Sequence, residues 1–190
     1  MKKYLYLTQP EWAGAWVNGG EIPLNLATAY KRMDRDGIYT PDEGLIDDTT
    51  HDIQLFDPAI IQFGGDFKNV SIGGITVGGE VVFSNFNGSR YADDGVILSL
   101  CNQKDASIKD RLRKSVCVEI ISIDVLKREL DNQFGVVSEA RNCEYTNTHN
   151  RGHFLKSEQD SWQDEFRLFW KKDGPLRAML PSGIGKIVDC

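Results

Sequence analysis

Apolar and polar residues alternate at every second position in many short runs of this chain, and only a few stretches space their apolar residues three and four apart. The first pattern marks strands and the second marks helices, because successive side chains leave opposite faces of a strand but recur on one helix face each turn. Lys3 to Thr8 therefore reads as a strand. Pro10 opens a short helix and Gly19-Gly20 closes it, with Trp12, Ala15 and Trp16 on one face. Glu21 to Asn25 reads as a brief extended piece, and Tyr30 to Asp48, rich in charge, Gly and Pro, as a long loop. Within it Thr40 or Asp42 could cap a helical turn running towards Ile46.

From Val70 to Phe83 β-branched residues alternate with glycines, and Gly73-Gly74 and Gly78-Gly79 read as turns or bulges between short antiparallel strands. Neither a G-x-G-x-x-G run nor a Walker lysine pattern accompanies them, so they do not make a phosphate loop. The polar segment Asn85 to Asp94 separates this region from Gly95 to Leu100, whose apolar continuity is that of a buried strand. Ala106 to Lys114 reads as a short helix and Val116 to Ile121 as a strand. Ser122 or Asp124 caps a helix that runs through Val125, Leu126 and Leu130 to Gly135. Val136 to Tyr145 is again strand-like, and a loop with Asn147, His149, Asn150 and Gly152 follows. Arg177 to Val188 reads as two short strands around a Pro-Ser-Gly turn. The sum is about seven strands and about three helices, hence one α+β domain over residues 1–190 with a mostly antiparallel sheet.

Composition is consistent with that reading: 190 residues, 41% hydrophobic and 26% charged, supply a sizeable core for one domain. A net charge of -6 argues against broad affinity for duplex nucleic acid, which needs a basic face to displace counterions. Two local basic clusters, Lys104, Lys109, Arg111, Arg113 and Lys114, and Arg167, Lys171, Lys172 and Arg177, read as solvated flanks. No apolar run approaches the roughly 20 residues that span a bilayer, and the first residues lack a signal-peptide pattern, so no membrane association and a cytoplasmic location are expected. Cys101, Cys117, Cys143 and Cys190 are spread without C-x-x-C spacing and read as reduced, with Cys101 and Cys117 packed inside.

The densest candidate chemistry lies in Ser161-Trp162-Gln163-Asp164-Glu165-Phe166-Arg167-Leu168-Phe169-Trp170. Period two puts Phe166, Leu168 and Trp170 on one face and Glu165, Arg167 and Phe169 on the other, with Gln163 facing the same way as Glu165 if the extended backbone begins that early. A carboxylate and an amide held on a rigid strand mouth suit the gripping of a sugar hydroxyl. The plain alternative is a wet strand end. Cys143, His149 and His153, with Glu144, invite a zinc reading, but paired ligand knuckles are missing. No G-x-S-x-G elbow supports a nucleophilic triad, and the carboxylate pairs Asp42-Glu43, Asp47-Asp48 and Asp93-Asp94 fit wet turns.

Read together, the two ends of the chain resemble an ADP-ribosyltransferase fold. Tyr4-Leu5-Tyr6-Leu7-Thr8, a helix and then Gly19-Gly20-Glu21-Ile22-Pro23-Leu24 resemble the opening of the DarT-like group. Gln163 and Glu165 resemble the Q-x-E form of the catalytic motif, Phe83-Ser84-Asn85 is similar to the central strand, and Leu180-Pro181-Ser182-Gly183 with the final strand looks like the ending. The resemblance implies NAD as substrate. Glu165 would hydrogen-bond the ribose 2′-hydroxyl and stabilise an oxocarbenium-like state, and Gln163 would orient the acceptor. Arg32 or Arg35 would clamp the pyrophosphate, Tyr6 and Thr8 would line the nicotinamide pocket, Ser84 would stand on the central strand, and Trp12 or Tyr30 would stack on a ring. Tyr6 stands where the DarT-like group usually carries histidine or glutamine.

The first functional expectation is thus a mono-ADP-ribosyltransferase acting on an unidentified protein or nucleotide acceptor. The Tyr6 departure motivates a second: a non-catalytic module on the same scaffold that binds a protein partner in a bacterial or phage conflict system, as a toxin-related subunit or inhibitor. A third, NAD hydrolysis, differs from transfer only in whether water reaches the sugar cation.

Overall fold

The computed structural model describes residues 2–31, 45–50 and 64–190, with the backbone alone described for residues 30, 31, 45 and 82–84. Strand β1 (Lys3–Leu7) is followed by a 3-10 turn (Pro10–Trp12) that runs into α1 (Ala13–Asn18), then β2 (Gly20–Leu24) and α2 (Ala27–Lys31). Next come β3 (Leu45–Thr49), β4 (Phe67–Val77), β5 (Glu80–Ala92), β6 (Val96–Cys101), α3 (Ala106–Arg111), β7 (Val116–Ile120) and α4 (Ile123–Phe134). The chain continues through β8 (Glu139–Asn142), β9 (Glu144–Thr146), β10 (Leu155–Ser157), a second 3-10 segment (Glu158–Gln163), β11 (Glu165–Trp170), β12 (Leu176–Leu180) and β13 (Gly185–Val188). The architecture is α+β with mostly antiparallel pairing.

Six strands form the central sheet in the order β13-β7-β1-β6-β11-β8, every neighbouring pair antiparallel. Its two faces have different cores. On one, Leu5, Leu98, Leu100, Val118, Ile120, Leu168 and Trp170 pack against Trp16 of α1, Leu126, Leu130 and Phe134 of α4, and the β2-β12 ribbon. The other face carries two smaller apolar clusters, one with Tyr6, Cys101, Ile108 and Cys117, the other with Ala27, Ile97, Phe154 and Phe169. Glu165 pairs with Cys101 and Phe169 with Ile97, so Arg167 falls between those clusters on the same face. Burial on both faces explains the apolar continuity of β6.

Local signals in α4 were read correctly. Ser122 accepts the backbone N–H of Val125 at the start, and Gly135 closes the helix in the left-handed region at φ 68°. The second half of the first helix is as expected, but Trp12 is exposed while Ala13 and Trp16 are buried.

Other expectations needed correction. Gly73-Gly74 lie inside β4, and only Gly78-Gly79 form a turn, so β4 and β5 make one long hairpin rather than several short strands. Much of the polar segment Asn85 to Asp94 belongs to β5, whose outer positions face water, so polar residues there do not break the strand. Residues 136–145 divide between β8 and β9, and β9 pairs in parallel with β10. The two strands of 177–188 do not pair with each other: β12 joins β2, and β13 joins β7. The described strands thus outnumber the seven expected, because several are short pieces recruited by distant partners.

Candidate functional site

The approach to β11 is pinned before the strand begins. Asp164 adopts a left-handed backbone (φ 42°), and its carboxylate accepts Asn102 Nδ2 at 2.8 Å and Gln103 Nε2 at 2.9 Å. Its carbonyl accepts the Asn102 N–H at 2.8 Å. This fixes the direction in which Glu165 leaves the turn. The Glu165 backbone N–H donates to the Tyr145 hydroxyl at 2.9 Å, and its carbonyl accepts the Cys143 N–H at 2.8 Å.

The Glu165 side chain sits in a buried ionic cluster. Arg167 Nε and Nη2 each reach Glu165 Oε2 at 2.7 Å, and Lys156 Nζ lies 3.4 Å from the same oxygen. Lys156 Nζ also donates to Gln163 Oε1 at 2.7 Å, and Gln163 Nε2 donates to Asp160 Oδ1 at 3.2 Å. Arg167 Nη1 donates to the His153 carbonyl at 2.8 Å. Arg167 and Gln163 are 1% exposed and Lys156 2%, so these charges are held out of water and must satisfy one another. The 3-10 segment, not an extended backbone, carries Gln163, yet Lys156 still brings Gln163 and Glu165 to one point.

Neutral side chains complete the lining. Cys143 Sγ lies 3.7 Å from Glu165 Oε2, and burial pushes this thiol up to about 12. Burial likewise raises the Tyr145 phenol. Both are therefore protonated near neutrality and poor nucleophiles. His153 stacks on Phe169 with ring centroids 4.0 Å apart, its Nε2 3.9 Å from Asp93 Oδ2. Neither ring nitrogen makes a hydrogen bond among the described residues. Burial pushes the imidazole below its usual value, Asp93 opposes this, and Arg167 adds to it.

Of the residues nominated for NAD chemistry, the structure brings Gln163 and Glu165 together among the described residues. Tyr6 lies in the cluster with Cys101 and Ile108, and its hydroxyl donates to the Gln103 carbonyl and accepts the Asp105 N–H, each at 2.9 Å. Burial raises this phenol too. Thr8 is exposed just beyond β1 and accepts Lys114 Nζ at 2.9 Å. Ser84 stands in β5, within the three-stranded sheet β3-β5-β4 and not in the sheet of Glu165. Arg32, Arg35, Thr40, Asp42 and His51 lie outside the described residues. His149 bonds the Thr49 hydroxyl, away from Cys143, and no group of three metal-binding side chains occurs among the described residues.

Two members of the cluster, Arg167 and Lys156, differ from what the sequence pattern indicates. Arg167 was grouped with solvated cations but is buried, because its strand face is covered. The alternation that placed it beside Glu165 was the signal for it. Lys156 carried none, since its role depends on β10 arriving from elsewhere in the chain.

An open groove of about 330 Å³ lies on the three-stranded sheet and is lined mainly by hydroxyls and amides, including Thr49, Asn69, Ser71, Asn87 and Ser89. No helix among the described residues is long and apolar enough to cross a membrane. Set against protein-family models, curated proteins and solved structures, the chain matches none.

Proposed function

We propose that this chain is a protein-binding module that does not turn over NAD, and that Glu165 serves the scaffold. One observation carries this reading: Oε2 of Glu165 is contacted by three cationic nitrogen atoms within 3.4 Å. A carboxylate stabilises an oxocarbenium-like sugar through uncompensated negative charge. Two cations bound to it cancel that charge where it is needed. The engaged hydroxyl of Tyr6 and the engaged amide of Gln163 point the same way. A contact surface is offered by the β4-β5 hairpin, where Val77 and Val81 beside the Gly78-Gly79 turn are 51% and 67% exposed.

The test is nicotinamide release from NAD, with NAD binding followed by calorimetry, for the natural protein and Glu165→Gln. The expected result is neither release nor binding in either protein. Release that vanishes in a folded Glu165→Gln protein overturns the proposal.

Such a result would establish the second reading, mono-ADP-ribosyl transfer from NAD or its hydrolytic variant. A specific feature favours that reading: among the described residues the bonds to the Glu165 carboxylate end on Oε2, so Oε1 would be the atom that accepts a ribose 2′-hydroxyl. Arg167 and Lys156 would then orient the carboxylate. Labelled NAD with protein and nucleotide acceptors separates transfer from hydrolysis.

A further inference from the structure

β13 is an edge strand of the central sheet, paired among the described residues with β7 through four register pairs, of which the last places Val188 opposite Cys117. Cys190 follows two positions later, just beyond the strand, and packs with Val188 against the cluster that contains Cys117. Both cysteines join the apolar cluster around Tyr6, Cys101 and Ile108, and both are free thiols. Lys109 Nζ donates to the Cys190 carbonyl at 3.2 Å, which holds that residue against the sheet. Cys117 is 1% exposed, whereas Cys190 is partly exposed. One thiol is thus reachable by a small oxidant and the other only through it.

We infer that Cys117 and Cys190 form a thiol–disulfide modification site, in which oxidation by a small disulfide such as oxidised glutathione staples the edge strand β13 to β7. The Cys190 thiolate attacks one sulfur of oxidised glutathione, forming a mixed disulfide and releasing one glutathione thiolate. The Cys117 thiolate then attacks the Cys190 sulfur, closing the internal bond and releasing the second glutathione thiolate. Two protein thiols lose two protons and two electrons, and oxidised glutathione becomes two glutathione molecules. Burial pushes the Cys117 thiol up, so the second step is slow near neutrality and speeds up with pH. Cys101 belongs to the same cluster but stands on β6, with β1 between it and β7, and Cys143 follows β8 at the opposite edge of the sheet.

The experiment incubates the full chain, fully reduced and folded, with oxidised glutathione at several pH values. Intact mass, peptide mapping and thermal unfolding are then measured. The expected product has lost about 2 Da, the two thiol hydrogens, and contains a Cys117–Cys190 cross-linked peptide. Its closure accelerates close to tenfold per pH unit between about 7 and 9, as the thiolate fraction of Cys117 grows. Its melting temperature rises by several degrees, because the cross-link restrains the unfolded chain. Cys190→Ser, at the partly exposed position, keeps the fold and abolishes both the cross-link and the rise, while Cys143→Ser leaves both in place. A stable mixed disulfide on Cys190 with no internal bond, or a cross-link that persists in Cys190→Ser, overturns the proposal.

Discussion

Arg167 turns back along its own strand and grips one oxygen of Glu165, two positions earlier, with both Nε and Nη2 at 2.7 Å. Residues two apart on a strand share a face, so the pair is local in sequence, but its burial is imposed by everything packed over that face. Lys156 joins it from β10 and ties the Gln163 end of the preceding 3-10 segment to the same point.

Removing the shared acceptor takes one anion out of the buried cluster that holds Arg167 and Lys156. Glu165→Ala is expected to cost about 3–5 kcal/mol of stability, the range for breaking a buried ionic group by deleting one partner. Urea unfolding measures this. A loss below about 1 kcal/mol would place the cluster among weak surface pairs instead.

His153 supplies the pH dependence near neutrality. Its folded-state value is lowered by burial and by Arg167, against the pull of Asp93, so the unfolded chain binds the proton more tightly. Stability is therefore full above the unfolded value of about 6.5 and falls as pH drops below it, towards the folded value. Melting temperatures measured from pH 7.5 to 5 are expected to decline below about 6.5 in the natural protein, and that component disappears in His153→Gln.

Asp131 joins α4 to two other parts of the fold. Its Oδ1 accepts Trp170 Nε1 at 2.7 Å and the Ser138 N–H at 3.0 Å, while Oδ2 pairs with Lys127 one turn earlier. Burial pushes this carboxyl up, yet the bonds from Lys127, Ser138 and Trp170 outweigh it and hold the group below its usual value. Its contribution is present above the unfolded value of about 3.9 and is lost as pH falls through the folded value. Asp131→Ala is expected to cost roughly 2–3 kcal/mol by stranding buried donors. Tryptophan fluorescence during unfolding, to which Trp170 contributes with Trp12, Trp16 and Trp162, reports both the loss and its flattening at acid pH.

Gly95 precedes β6 where a side chain has no room: a Cβ there would lie 2.5 Å from the Trp170 carbonyl and 2.6 Å from the Phe169 ring. Gly95→Ala is expected to destabilise by about 1–3 kcal/mol or more through overpacking. The same change at Gly73, with nothing within 4 Å of the added carbon, serves as the comparison. Equal effects at the two positions in thermal unfolding would contradict the packing argument.

The amino-acid order by itself determined the elements whose signals are local. Ser122 or Asp124 and then Gly135 mark the two ends of α4, and alternation in β11 assigns Glu165, Arg167 and Phe169 to one face and Phe166, Leu168 and Trp170 to the other. It also set an α+β class, since runs of period two outnumber helical runs. Tertiary structure alone decided what covers each face. Period two says which residues share a side, not whether that side meets water, so Arg167 reads as solvated, while Gly73-Gly74 read as turns or bulges because glycine marks both. Strand partners such as β12 with β2, and the approach of Lys156 to Glu165, join positions far apart in the chain, and no local pattern encodes that distance. The chemistry of Glu165 follows from that long-range packing, because the cations that hold it determine how much charge it presents to any ligand.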